Sequence, residues 1–173
     1  IVTGYNMGFR IELFIQCVSQ GVSGGMIVSI AQNLGNKNCD RVRSFFLAAF
    51  KFQVILEIFT AIMLLTSAPQ LVGLFSNNAE VIEAGAIYSR TMALIYFFSY
   101  MGEIIQGFFR GIGRLRLTMI ASLLQIIWRV TMSYLMIPLF GIYGICLAVG
   151  TGWMIMVIIE GIYAIKCAKR LTN

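Results

Sequence analysis

Four ionisable side chains stand deep inside otherwise apolar stretches: Glu12, Glu57, Glu103 and Arg129. A charge surrounded by hydrocarbon is expensive unless it is compensated, so such residues pair with one another, hold a proton or metal cation, or grip a charged ligand. Histidine is absent altogether. That removes Ser–His and Cys–His nucleophiles and His-ligated zinc or haem from consideration. The single aspartate, Asp40, is expected in a polar loop, which also excludes a pair of aspartates within a span. Cys17, Cys39, Cys146 and Cys167 have neither metal-ligand nor disulfide spacing and read as small apolar fillers or free thiols. The expectation is a protein that is not an enzyme, with no catalytic residues, no cofactor and no metal centre.

The elements that hold these residues follow from composition. Of the 173 residues 59% are hydrophobic and 12% charged, against about a quarter charged in soluble domains. A soluble fold of this size cannot hide so much apolar surface. Lipid must be the solvent. A bilayer core about 30 Å thick needs roughly 20 apolar residues of helix. Five runs qualify: 8–32, 44–68, 83–109, 117–140 and 142–165. They are separated by the turn formers Gly35-Asn36, Pro69, Asn77-Asn78, Gly111 to Gly113, and Pro138 with Gly141. None alternates in polarity as a barrel strand would. The fold class is all-α, a polytopic membrane helix bundle.

Net charge is +6, but the cations fall in short clusters rather than on one face, which argues against a nucleic-acid partner. Lys37, Arg41 and Arg43 mark the first connection, Arg110, Arg114 and Arg116 the third, and Lys166, Lys169 and Arg170 the end. The second and fourth connections have no Lys or Arg. By the positive-inside rule the first and third connections and the C-terminus are cytoplasmic, in the plasma or inner membrane. Gly35 is expected to cap the first helix. The chain begins at Ile1 on the outer side, which suggests a fragment with further helices upstream.

Helix rise places Glu57 and Arg129 both roughly 20 Å in from the cytoplasmic ends, and Lys51 and Glu103 both about 10 Å in. Glu12 and Arg90 both fall in the outer part. Each pair has opposite signs at one depth, so cross-helix pairing or a shared aqueous cavity is expected; Arg110 is a competing partner for Glu103. Glu160, six residues before Lys166, is expected to reach the inner interface. Gly21-x-x-x-Gly25, with Gly24, and Gly107-x-x-x-Gly111 are read as sites of close helix packing. The segment GFFRGIGR follows no strand, so it is not a phosphate loop. Methionines and aromatics suit lipid-facing positions or an adaptable pocket.

In these residues the chain resembles the multidrug and toxic compound extrusion (MATE) family of cation-coupled antiporters. The resemblance is carried by Arg10-Ile11-Glu12 opening a helix that closes on Ala31-Gln32-Asn33-Leu34-Gly35, and by Leu74-Phe75-Ser76 before Glu80-Val81-Ile82. It continues in Gly107-Phe108-Phe109-Arg110-Gly111-Ile112-Gly113, and in Arg129 ahead of Pro138 and Gly141-Ile142-Tyr143-Gly144-Ile145. It implies twelve helices in two lobes that rock about a central cavity. Residues 1–173 would then be the C-terminal lobe, five of its six helices, without its first helix and without the N-terminal lobe. It implies Na+ or H+ as coupling ion, and small organic, cationic substrates as partners beside the lipid bilayer and the N-terminal lobe. Glu12, Glu57, Glu103 and Arg129 are the candidates for coupling or substrate contact, with Gln32 and Asn33 stabilising a helix end. The position matching the family's acid before the Gly-rich motif is Ser99, with Glu103 one turn away. Two rivals stand beside this resemblance: a lipid-linked oligosaccharide flippase, which would need a more cationic cavity, and a non-transporting membrane assembly subunit.

Overall fold

With no water in hydrocarbon, every backbone N–H and C=O of a spanning segment must bond within that segment, and an apolar run therefore becomes a helix. The computed structural model describes residues 2–171, with side chains for 3–167. It contains α1 (Val2–Gly35), α2 (Cys39–Gly73), α3 (Ala79–Gly111), α4 (Leu115–Phe140) and α5 (Ile142–Leu171). Among the described residues these five helices are long and apolar enough to cross a membrane. The side chains of Lys169 and Arg170 in the basic tail lie outside the described residues.

The helices outrun the apolar stretches because hydrocarbon sets the length of the run while capping sets the end of the helix. Asn38 Oδ1 accepts the Arg41 N–H at 3.1 Å, and Asn78 Oδ1 accepts the N–H of Glu80 at 3.0 Å. Each opens a helix with an acid, Asp40 or Glu80, in its first turn, where the helix dipole favours it. Asp40 is therefore helical rather than part of a loop. Pro69 does not separate two helices either: it lies inside α2, which continues to Gly73. Proline removes one intrahelical bond there, and neighbouring turns keep theirs.

The ends of α1 and α3 share one closure. Lys37 N–H bonds the Leu34 carbonyl at 3.0 Å and Asn38 N–H bonds that of Asn33 at 2.9 Å; Gly113 and Arg114 bond Arg110 and Phe109 in the same pattern, at 3.1 and 2.8 Å. These are Schellman motifs, with the left-handed residue at Lys37 (φ 56°) and Gly113 (φ 76°). The expected cap at Gly35 thus falls two residues later. The Asn33 side chain turns back along the helix, its Nδ2 donating to the Ser29 carbonyl at 2.7 Å, while its backbone carbonyl accepts the Asn38 N–H at this end. Gln32 is exposed and contributes its backbone carbonyl, which accepts the Asn36 N–H at 3.2 Å.

Helix α3 is the centre of the bundle. It packs along α1, α2 and α5, while α4 leans on α5 and touches α3 only lightly. One core cluster joins Tyr88, Met92, Tyr96 and Tyr100 of α3 to Ile11 and Ile15 of α1, Leu64 and Val72 of α2, and Val149 and Trp153 of α5. A second gathers Met26, Ile30, Val42, Ile104, Phe108 and Phe109 nearer the basic end. Large apolar side chains such as Phe59, Ile62, Leu94 and Ile127 point outward, as befits a lipid solvent.

Since lipid is as apolar as leucine, helices hold together by close approach and interhelical hydrogen bonds. A Cβ on Gly107 would collide with Ser23 Oγ and Met26 Cε, and one on Gly111 would lie 2.9 Å from Ile30 Cβ. This pair is the α1–α3 seam. Ser23 Oγ seals it, donating to the Glu103 carbonyl at 3.0 Å. Gly21, Gly24 and Gly25 differ from expectation: a Cβ on any of them would meet nothing within 4 Å. They face away from the bundle. Gly107→Ala should therefore lower stability in detergent by about 1–3 kcal/mol. Gly21→Ala should leave it unchanged or raise it by up to about 1 kcal/mol. Thermal melting of the two purified variants checks the contrast.

Candidate functional site

The best-satisfied buried acid is Glu12. Its Oε2 accepts the hydroxyls of Tyr88 at 2.8 Å and Tyr96 at 3.3 Å, and its Oε1 accepts Gln16 Nε2 at 3.0 Å. Helical geometry makes this possible. Gln16 lies one turn beyond Glu12, and Tyr88 and Tyr96, eight residues apart, share the α3 face that meets α1. Tyr5 adds an edge contact to Tyr88, with ring centroids 5.2 Å apart, and stacks on Phe9 at 5.8 Å.

Glu12 borders a cavity of about 270 Å³ between α1, α3, α4 and α5. Its walls are stripes at helical spacing: Phe9, Glu12, Leu13 and Gln16 from α1; Ser99, Glu103 and Gln106 from α3; Ser122, Gln125 and Arg129 from α4; Trp153 and Met156 from α5. Most are polar, in a bundle whose exterior is apolar. Arg129 Nη2 donates to Tyr5 Oη over a long 3.4 Å, and its charge acts on Glu12. Glu103 is half-buried, and its Oε2 has no hydrogen-bond partner in the protein. Two acids face one guanidinium in the cavity, so with both acids ionised negative charge is in excess, and Phe9 and Trp153 offer ring faces. Such a cavity suits a cation.

Three expected pairings do not form. Glu57 does not meet Arg129: α2 packs on α1 and α3 behind the cavity, and α3 stands between it and α4. Glu57 is 5% exposed, with Oε2 unpartnered, beside the Thr60–Tyr100 hydroxyl pair at 3.2 Å. One turn earlier Gln53 donates to Ser19 Oγ, so this polar stripe of α2 serves the inner seam. Lys51 is exposed on α2 while Glu103 lines the cavity, and the cation acting on Glu103 is its own helix's Arg110. Arg90 is exposed, and Glu12 turns to the tyrosines instead. Equal depth fixed only one coordinate of each residue, and the direction around the helix decided the partner.

Of the four candidates, then, Glu12, Glu103 and Arg129 come together and Glu57 does not. Ser99 joins them in the lining. Glu160 is a further correction: it does not reach the interface but is fully buried, with neither carboxylate oxygen partnered. Its spacing from Trp153 and Met156, seven and four residues earlier, places it on the same inward face and was the available signal. The repeated stripes Ser99/Glu103/Gln106 and Ser122/Gln125/Arg129 likewise announce inward polar faces.

Comparison with known proteins agrees with this architecture. The MatE family model matches residues 1–135. The multidrug export protein MepA of Staphylococcus saprophyticus is 25% identical over 146 residues, which is 83% of this chain and 32% of that protein. The chain thus spans about a third of that relative's length. Among solved structures, a multidrug resistance MATE family transporter of the MOP superfamily in its outward-facing conformation superposes with a TM-score of 0.89 at 18% identity, over 99% of this chain and 39% of that one. An inward-facing form gives 0.85 at 18% identity, over 95% and 39%. A MOP superfamily transporter from Pyrococcus furiosus gives 0.88 at 19% identity, over 99% and 39%.

The Glu12 cluster can be graded. Tyr88→Phe deletes the 2.8 Å bond and should destabilise the protein by about 1–2 kcal/mol, whereas Tyr96→Phe, which deletes the 3.3 Å bond, should have a smaller effect. Melting curves of the two variants give the order.

Proposed function

The chain belongs to the MatE family, and on that premise we propose that it forms one lobe of a multi-pass membrane transporter exporting small organic, cationic compounds against Na+ or H+. The observation that carries this reading is the polar cavity in which Glu12, Glu103 and Arg129 meet within an apolar bundle. A helix bundle that only assembled other subunits would have no need of it. A second lobe with its own helices would complete the cavity, in keeping with the 39% of each solved relative that the chain covers.

Alternating access supplies the mechanism. The lobes rock about the site, and a ligand moves the equilibrium only by its differential affinity for the two states. Glu12 sits on α1 yet is bonded to α3, so an entering cation competes with the tyrosine donors and loosens or tightens that seam. Relatives of the same fold in inward- and outward-facing forms support two such states. Lys37, Arg41, Arg43, Arg114 and Arg116 favour a cytoplasmic side for the first and third connections, and with them a cytoplasmic C-terminus in the plasma membrane.

An oligosaccharide-pyrophosphate flippase is less well supported. Arg129 is the one guanidinium in the cavity wall, facing two acids, and Arg90 is exposed on α3. The test is dye efflux from cells or vesicles carrying the protein. Glu12→Gln and Glu103→Gln should each lower ethidium export at least tenfold at unchanged expression, while Glu57→Gln should retain most of it. Full export by both cavity variants would overturn the proposal.

A further inference from the structure

The cavity lining contains one methionine, Met156 of α5. An unbranched thioether changes shape at little cost, as β-branched and aromatic side chains cannot. Its two ends are held differently. On one side its ε-methyl lies over Gly102 of α3: a Cβ at Gly102 would stand 2.5 Å from Met156 Cε, with Val157 Cγ2 next at 3.5 Å. On the other its sulfur accepts Gln106 Nε2 at 3.2 Å, an amide that also donates to Ser122 Oγ of α4 at 3.3 Å. Arg110, one turn on, sets Gln106 this way round, because its Nη2 can only donate and is accepted by Gln106 Oε1 at 2.7 Å.

Gly102 is therefore a niche in the α3 wall for the end of this side chain. Met156 is 7% exposed, so nearly all of it is stowed out of the cavity. The tether that keeps it there is weak, since a thioether is a poor acceptor. Behind the niche the α3–α5 seam is filled by Val157, and the open side is the cavity. A side chain displaced from Gly102 has that direction left to it.

We propose that Met156 is a movable wall of the cavity, and that the Gly102 niche sets the size of organic cation the cavity takes. Stowed against Gly102, the side chain clears room for a bulky ring system. Released from Gln106, it turns into the cavity and closes on a small ion, supplying dispersion contacts that a gap would forfeit. One pocket then accepts compounds of different shapes. The purpose of the wall rests on the transporter reading above; its movement is measurable without transport.

The experiment is equilibrium dialysis of ethidium and of tetraethylammonium against the purified protein in detergent. The Met156 ε-methyl is followed alongside by methyl NMR and identified by its loss in Met156→Leu. Gly102→Ala fills the niche and turns Met156 into the cavity. The methyl signal should then move without any ligand, ethidium should bind about tenfold more weakly, and tetraethylammonium should stay within about twofold of its affinity for the unmutated protein. Met156→Ala should do the reverse, keeping ethidium and weakening tetraethylammonium about fivefold. Gly150→Ala is the control for loosening the same helix pair, since its Cβ would lie 2.9 Å from Ile95 Cγ2 rather than against Met156. It should lower the melting temperature without separating the two ligands. Equal weakening of both ligands in Gly102→Ala, or the same change of selectivity in Gly150→Ala, would overturn the proposal and leave the transporter reading standing. A methyl signal unmoved by Gly102→Ala would overturn it as well. A displaced signal, with neither ligand bound by the unmutated protein, would instead contradict the transporter reading and leave the movable wall standing.

Discussion

Hydrocarbon solvates neither a carboxylate nor a guanidinium, and that constraint decides how each helix of this bundle is turned. The acids deep inside the spans point inward: Glu12, Glu57 and Glu160 are buried and Glu103 lines the cavity, whereas Glu83, near the start of α3, is exposed. The outward positions are then left to Phe, Ile and Leu. Packing follows from the same cause. Because lipid provides no hydrophobic drive between helices, the contacts rest on a glycine pair, hydroxyls and amides.

Helix α3 gathers most of these contacts. It gives Tyr88 and Tyr96 to Glu12, the Glu103 carbonyl to Ser23, Tyr100 to Thr60, and Gly107 and Gly111 to α1. It also carries Glu103 and Arg110. A shift of α3 relative to α1 or α5 would therefore change both the shape of the cavity and the partners of its acids. Helix α4 is different. It meets α3 lightly and leans on α5, bringing Arg129 to the cavity from a wall that can move with α5.

How much of this the sequence disclosed depends on the kind of signal. Apolar runs of bilayer length identify five helices, because length against hydrocarbon thickness is a strong constraint. Their ends were misjudged where capping extends them, as at Asn38 and Asn78, and where proline was read as a stop at Pro69. The acids stand out in the sequence but their partners do not, since depth along the membrane normal does not give the azimuth. Had Gln53, Glu57, Thr60 and Leu64 been read as one face, α2 would have appeared as a sealing helix. Glu160 was misplaced because its distance from Lys166 suggested an interface, whereas its register with Trp153 and Met156 pointed inward. Gly21, Gly24 and Gly25 match the spacing of a packing motif without meeting a neighbour, so spacing alone does not make a seam.

The central claim is that α1, α3, α4 and α5 enclose a water-reached polar cavity while α2 stands outside it. Cysteine accessibility measures this directly in a protein whose own four cysteines have been replaced by alanine or serine. Single cysteines at Ser122, in the cavity wall, and at Phe59, on the outer face of α2, would be exposed to a charged, membrane-impermeant thiol reagent. Labelling of Ser122→Cys with Phe59→Cys inert is the result expected; an inert Ser122→Cys with rapid labelling of Phe59→Cys would contradict the arrangement.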